Sequence, residues 1–239
     1  MKLNSKVCIY TAIFGGYDEL KKQPQQTIDC DFVCFSDTNP ENTQGWTIQK
    51  RQQNSLPHPR LKAKYYKLMS HELFVLPVYR FFPLLRSVKQ KYPVTIWIDG
   101  SVKIRSPRFA EEMVNSLGTY GLAMFVHPDR NCIYDEVDLC SDFEKYRQYP
   151  LKEQVAHYQQ QGYPKQNGLM AAGIIVRDMN NPMVATINNA WWHENRRWTY
   201  QDQLSLPYIL WKHNYGYDPI HLNLWNNHLF ELAPHHSNL

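Results

Sequence analysis

The chain of 239 residues carries 26 Lys and Arg against 22 Asp and Glu, a formal net charge of +4, with 43% hydrophobic and 20% charged residues. That balance excludes a disordered, fibrous or disulfide-scaffold protein, and a chain this long buries roughly 70–75% of its unfolded surface. A charge of +4 over this length gives no argument for nucleic acid, while 16 Tyr and 7 Trp exceed what core packing asks for.

Lys2 and Lys6 before the apolar run Val7 to Phe14 imitate a secretory leader. The run is short, includes Tyr10 and Thr11, and meets Gly15-Gly16-Tyr17-Asp18 instead of a small-residue cleavage site, so it reads as a buried first strand. Asp31–Phe35 is the second strand. Pro59 to Phe74 reads as a helix, and Leu73 to Leu85, broken by Pro77, Arg80 and Pro83, is unfit to span a bilayer. Val94–Ile98 is β-branched and apolar, as a central strand should be. Ser106-Pro107 opens a helix that Gly118 closes. Gly121–Val126 and Gly173–Val176 are further strands, with Pro219–Leu224 a weaker one, and Pro182–Glu194 and Tyr200–Lys212 are helices. Strands alternating with helices predict one α/β domain over residues 1–239. It is Rossmann-like, with a mostly parallel central sheet flanked by helices and an irregular tail over about 225–239.

The five cysteines are an odd number without metal-knuckle spacing, and no Asn-x-Ser/Thr site occurs. Reduced core thiols in the cytoplasm are the expectation, with zinc as the lesser alternative.

Ligands of open α/β sheets bind at the carboxyl ends of the strands. Three strands end there in Phe14-Gly15-Gly16-Tyr17-Asp18, Ser36-Asp37 and Asp99-Gly100-Ser101. Each alone is an ordinary turn or cap; two acidic ends beside a glycine turn point together to a site. Arg60, Lys64, Lys67 and His71 stand at i, i+4, i+7 and i+11, one helix face. A solvated stripe is the bland account. A basic face above the strand ends also suits a diphosphate, with Arg60 as fork and Lys64 as point charge. His127-Pro128-Asp129-Arg130 follows another strand, and Asp202 opens a helix whose positive end favours a carboxylate. Tyr17, Tyr134, Trp191 and Trp192 are candidates for stacking on sugars, against helix-to-sheet packing.

Tyr10-Thr11-Ala12-Ile13-Phe14-Gly15-Gly16-Tyr17-Asp18, Cys34-Phe35-Ser36-Asp37, Trp97-Ile98-Asp99-Gly100-Ser101, the run from Phe125 through His127-Pro128, Arg130 and Cys132-Ile133-Tyr134 to Glu136, and Asp202-Gln203-Leu204-Ser205 occur in order. In these motifs the chain resembles a glycosyltransferase-like family once catalogued as a domain of unknown function. Its members include plant mucilage-related and turgor-regulation proteins and proteins of bacterial polysaccharide loci.

The resemblance implies a GT-A fold, a UDP- or GDP-sugar donor, and a glycan or lipid-linked saccharide acceptor. No nucleic-acid partner is expected from the mild charge, and the cytoplasm is the expected compartment, at the inner membrane face where the acceptor is lipid-linked. Nucleoside contacts would fall on Thr11, Ala12, Phe14, Tyr17 and Asp37. The Asp-x-Asp element that grips ribose and metal is here Asp99-Gly100-Ser101, one carboxylate short. Mn²⁺ or Mg²⁺ would then rest on Asp99, Ser101 and His235 or His236. The rival is a metal-independent site, with Arg60 and Lys64 neutralising the diphosphate. Asp202 or His127 would be the base that deprotonates the acceptor, or Asp202 would orient the donor sugar. Other readings are a metal-assisted amide hydrolase acting on a lipid, which a plant relative's link to ceramidase activity raises, and a non-catalytic carbohydrate-binding protein.

Overall fold

A computed structural model describes residues 6–52, 55–75 and 90–233. Its centre is a seven-stranded sheet of order β3-β2-β1-β4-β7-β6-β8. The strands are β1 (Val7–Ile13), β2 (Cys30–Ser36), β3 (Thr47–Lys50), β4 (Val94–Ile98), β6 (Leu122–Val126), β7 (Met170–Asp178) and β8 (Asp218–Ile220). β7 alone runs antiparallel to its neighbours β4 and β6; the other pairings are parallel. The expected α/β sheet with helical layers is therefore present, with a reversed strand inside it.

Strand alternation sets the two faces. Cys8, Tyr10, Ala12 and Phe14 join one core, with α1 (Pro59–Leu68), α4 (Ile133–Ser141), α5 (Leu151–Gln160), α6 (Pro182–Arg197) and α7 (Asp202–Lys212). Val7, Ile9 and Ile13 join the other, with α3 (Phe109–Asn115). In β4, Trp97 belongs to the first core and Ile96 and Ile98 to the second. Asp99, continuing that alternation past the strand end, turns to the side of α1.

Three local readings change. The segment expected as one helix from Pro59 to Phe74 is broken at Met69 (φ −98°, ψ 33°), and a short α2 (Ser70–Leu73) follows. The irregular tail contains β9 (Phe230–Leu232), which pairs with β5 (Val102–Ile104) as an antiparallel ribbon. Ser106 caps the turn before α3, accepting from the Arg108 amide at 3.1 Å, and the helix proper begins at Phe109. Cys8, Cys34, Cys132 and Cys140 are buried thiols and Cys30 is half-buried; burial pushes Cys34 up to about 12. Among the described residues no helix is long and apolar enough to cross a membrane.

Candidate active site

A cleft of about 380 Å³ opens at the carboxyl end of β1 and β4, where a parallel sheet exposes its strand-to-helix turns. Its cationic wall is α1. The His58 ring caps that helix by accepting from the Arg60 amide at 3.2 Å, and Pro59 occupies its first turn. One turn of helix per step then carries Arg60, Lys64 and Lys67 into the cleft. His71 does not follow them: the break at Met69 rotates it away, to Asn189 Oδ1 at 3.2 Å.

Lys67 is the centre of the site. Its side chain is 2% exposed, and its Nζ lies 3.1 Å from Asp99 Oδ1 and 2.7 Å from Asp202 Oδ2. Lys64 Nζ donates to the same Asp202 oxygen. Trp97 Nε1 donates to Asp99 Oδ1 at 2.7 Å, fixing the rotamer of the strand-end carboxylate. Burial alone would drive Lys67 down and Asp202 up. The opposite charges and their hydrogen bonds overrule it, so Lys67 is raised above its ordinary value and Asp202 held well below the carboxylate range. Lys64 ends the other way: burial brings it down to about 8 against the pull of Asp202, with Lys67 adding to the fall.

The other cations of the cleft have different partners. The Arg60 guanidinium stands 5.5 Å from the Tyr17 ring centre, and Lys145 Nζ lies 4.9 Å from that of Tyr146. Burial and then the charge of Arg60 lower Lys145. Arg130 Nε donates to Glu136 Oε2 at 2.6 Å. The floor is made of Ala171, Ala172 and Gly173, at a register shift between β6 and β7. Such bulges recur beside sites because they re-aim the chain; here small residues keep the space under Asp99 open.

Several of the sequence-picked residues meet at this cleft. Tyr17, Arg60, Lys64, Asp99, His127 and Asp202 line it. Thr11, Ala12 and Phe14 do not present side chains: each is buried in the sheet, Phe14 stacked on Tyr66 with ring centres 5.2 Å apart, so only their backbone is left for a ligand. Asp37 accepts from the Gly15 amide with both oxygens, at 3.2 and 3.0 Å, and so shapes the turn after β1. Gly100 sits where a Cβ would meet Asp18 Oδ2 at 2.6 Å, which is why the residue after Asp99 has no side chain. The Ser101 carbonyl accepts from Ala233 at 2.8 Å; His235 and His236 lie outside the described residues.

His127 differs from an exposed base. Its Nδ1 accepts from the amides of Asp129 and Arg130 at 3.2 and 3.1 Å, its Nε2 faces Arg130 and Glu136, and burial holds its pKa down. The ring thereby braces the turn that leads to Arg130. Trp191 is fully buried, its Nε1 donating to the Asp202 carbonyl at 3.0 Å, and Trp192 packs edge-on against Tyr65. The pair is helix packing, and Tyr134 is tied to the Tyr163 carbonyl at 2.8 Å. The aromatics that do line the mouth, apart from Tyr17, are Phe143, Tyr146, Tyr200 and Trp225, the last 66% exposed. Sequence reading passed over Lys145, in a single turn of 3-10 helix (Glu144–Tyr146), and Trp225, in a bend, because neither belongs to a periodic element.

Among the described residues the donor set is short of what a resident divalent cation asks for. Mg²⁺ and Mn²⁺ ask for several hard oxygens. Asp99 Oδ1 is already engaged by Trp97 and Lys67, and the ammonium of Lys67 fills the gap between Asp99 and Asp202. Among the described residues no three His, Cys, Asp or Glu cluster as metal ligands.

The carboxyl edge of the sheet thus sets the cations of α1 beside a strand-end carboxylate. The model of the TOD1/MUCI70, glycosyltransferase-like domain matches residues 1–235, and the chain belongs to that family. Among solved structures it is similar to one titled as the apo structure of the bifunctional glycosyltransferase WbbM. The TM-score is 0.51 at 12% identity, over 93% of this chain and 39% of that one. This likeness concerns the fold. No curated protein matches the chain.

Proposed function

We propose that this protein transfers a glycosyl unit from a nucleoside diphosphate sugar, of the UDP or GDP type, to a hydroxyl of a glycan or lipid-linked saccharide. The observation that carries the reading is the row Arg60, Lys64, Lys67 on α1, lining a cleft at the strand ends with Lys67 bonded to Asp99. In the transfer, the bond from the anomeric carbon to the diphosphate oxygen breaks and its electron pair leaves with the diphosphate. The acceptor oxygen bonds that carbon, and its proton passes to the departing diphosphate, whose oxygen becomes basic as the bond breaks. Cations fixed where this negative charge collects act before any solvent must reorganise. Tyr17 and the adjoining backbone of β1 are our nucleoside seat, with Asp37 bracing the turn.

Asp202 is assigned to positioning. A carboxylate pinned by two ammonium groups and held well below its ordinary pKa is a poor proton acceptor; it holds Lys64 and Lys67 and orients the sugar between them. Trp225, exposed at the mouth beside Phe143, is assigned to the acceptor ring. We place the reaction in the cytoplasm, where the five cysteines would stay thiols.

Thermal unfolding with UDP, GDP and free oligosaccharides tests the reading, because a ligand that binds only the native state raises the melting temperature. Stabilisation by one nucleoside diphosphate is expected. A response to glycans alone would identify a carbohydrate-binding protein instead.

A further inference from the structure

Building on the proposed donor, we infer that this site handles the diphosphate without a divalent metal: the Lys67 ammonium takes the cation's place between Asp99 and Asp202, and Arg60, Lys64 and Lys145 receive the phosphates.

The geometry supports this in three ways. An ammonium offers three donors, and two of Lys67's directions end on carboxylate oxygens, at 3.1 Å on the half-exposed Asp99 and 2.7 Å on the buried Asp202. Charge-assisted hydrogen bonds of this length are the strong kind. A divalent ion brought to Asp99 would meet a fixed positive charge there, and would find the near oxygen already taken by Trp97.

Second, the charges at the centre are already matched. Asp202 is answered by Lys64 and Lys67, and Asp99 by Lys67. No carboxylate pair is left waiting for two positive charges.

Third, the cations beyond the centre are in surplus. Among the described residues neither Arg60 nor Lys145 has a carboxylate at ion-pair distance; both rest against aromatic rings. Arg60 and Lys145 line the same cleft, and the charge of Arg60 makes the Lys145 proton easier to lose. An anion between them relieves that repulsion. A diphosphate has the charge and the oxygens to do so, with Lys64 at its inner end.

The test measures binding of UDP and GDP to the full chain by calorimetry, once in excess chelator and once with Mn²⁺. The account expects the affinity for the nucleotide that binds to agree between the two buffers within about twofold. It expects Lys67→Met to weaken that affinity at least about tenfold, because Asp99 is then left as an unanswered negative charge beside the diphosphate. Should Lys67→Met fail to fold, Arg60→Ala with Lys145→Ala, both on the cleft wall, is expected to weaken binding at least about tenfold with the fold kept. Affinity that collapses in chelator and returns with Mn²⁺ overturns the inference while leaving the donor reading intact. Binding of neither nucleotide in either buffer overturns the donor reading, and the inference with it.

Discussion

Lys67 Nζ lies 2.7 Å from Asp202 Oδ2, both side chains almost fully buried, and this contact joins the last turn of α1 to the first residue of α7. It closes the cleft from behind and fixes two elements that the backbone leaves far apart. Removing one partner of a buried ion pair strands the other, at a typical cost of about 3–5 kcal/mol. Asp202→Ala leaves two ammonium groups crowded against each other and is expected to lose that much in urea unfolding. A change below about 1 kcal/mol would show that the pair is not engaged in solution.

The pH dependence follows from the directions of the shifts. Asp202 is lowered from 3.8 in the folded chain, so its stabilisation is complete above the unfolded value and is lost as pH falls below it. Lys67 is raised from 10.5, so its stabilisation is complete below that value and is lost as pH climbs past it. Lys64, brought down to about 8, works in the opposite sense and sheds its proton first. Nucleotide affinity is therefore expected to fall above pH 8 while the fold persists, and Lys64→Arg should abolish that fall. Binding titrations from pH 6 to pH 10 check it; an affinity flat across pH 8 contradicts it.

Gly100 tests the turn that carries Asp99. An alanine there brings Cβ to 2.6 Å from Asp18 Oδ2, and Asp18 is itself buried and bonded to Lys21 at 3.4 Å. Overpacking of this sort costs about 1–3 kcal/mol. Gly100→Ala should lower the melting temperature and weaken nucleotide binding together, whereas Gly16→Ala, with open space around its Cβ position but φ of +64°, should affect stability more modestly. Calorimetric scans of both variants read the difference.

Trp225 separates acceptor from donor. Because it is 66% exposed, Trp225→Ala is expected to change stability by less than about 0.5 kcal/mol. Steady-state kinetics should show a higher KM for the acceptor with donor KM unchanged. Equal loss on both substrates would remove Trp225 from the acceptor side.

Much of this arrangement was legible in the residues themselves. Val7 to Phe14 and Val94 to Ile98 are nearly unbroken apolar runs, and both are central strands buried on two faces. The spacing of Arg60, Lys64 and Lys67 places three cations on one face, as found. What spacing cannot carry is the partner. Lys67 acquires its role from Asp99 and Asp202, which local pattern does not connect to it, and His71 loses its expected one to a backbone break at Met69 that no Gly or Pro announces. β3, with the half-exposed pattern Thr47-Ile48-Gln49-Lys50, and the three-residue β5 and β9 are set by pairing with neighbours more than by their own composition. The Trp191-Trp192 pair was ambiguous for the same reason: a tryptophan's sequence position does not say whether its indole meets a carbonyl or a sugar.

The most direct measurement of the central claim is release of nucleoside diphosphate from a panel of nucleotide sugars, by the wild type and by Asp99→Ala. The account predicts that one donor is consumed, slowly without acceptor and faster with it. It predicts no consumption by Asp99→Ala, whose circular dichroism should match the wild type. Consumption of no donor, or equal consumption by the variant, would contradict it.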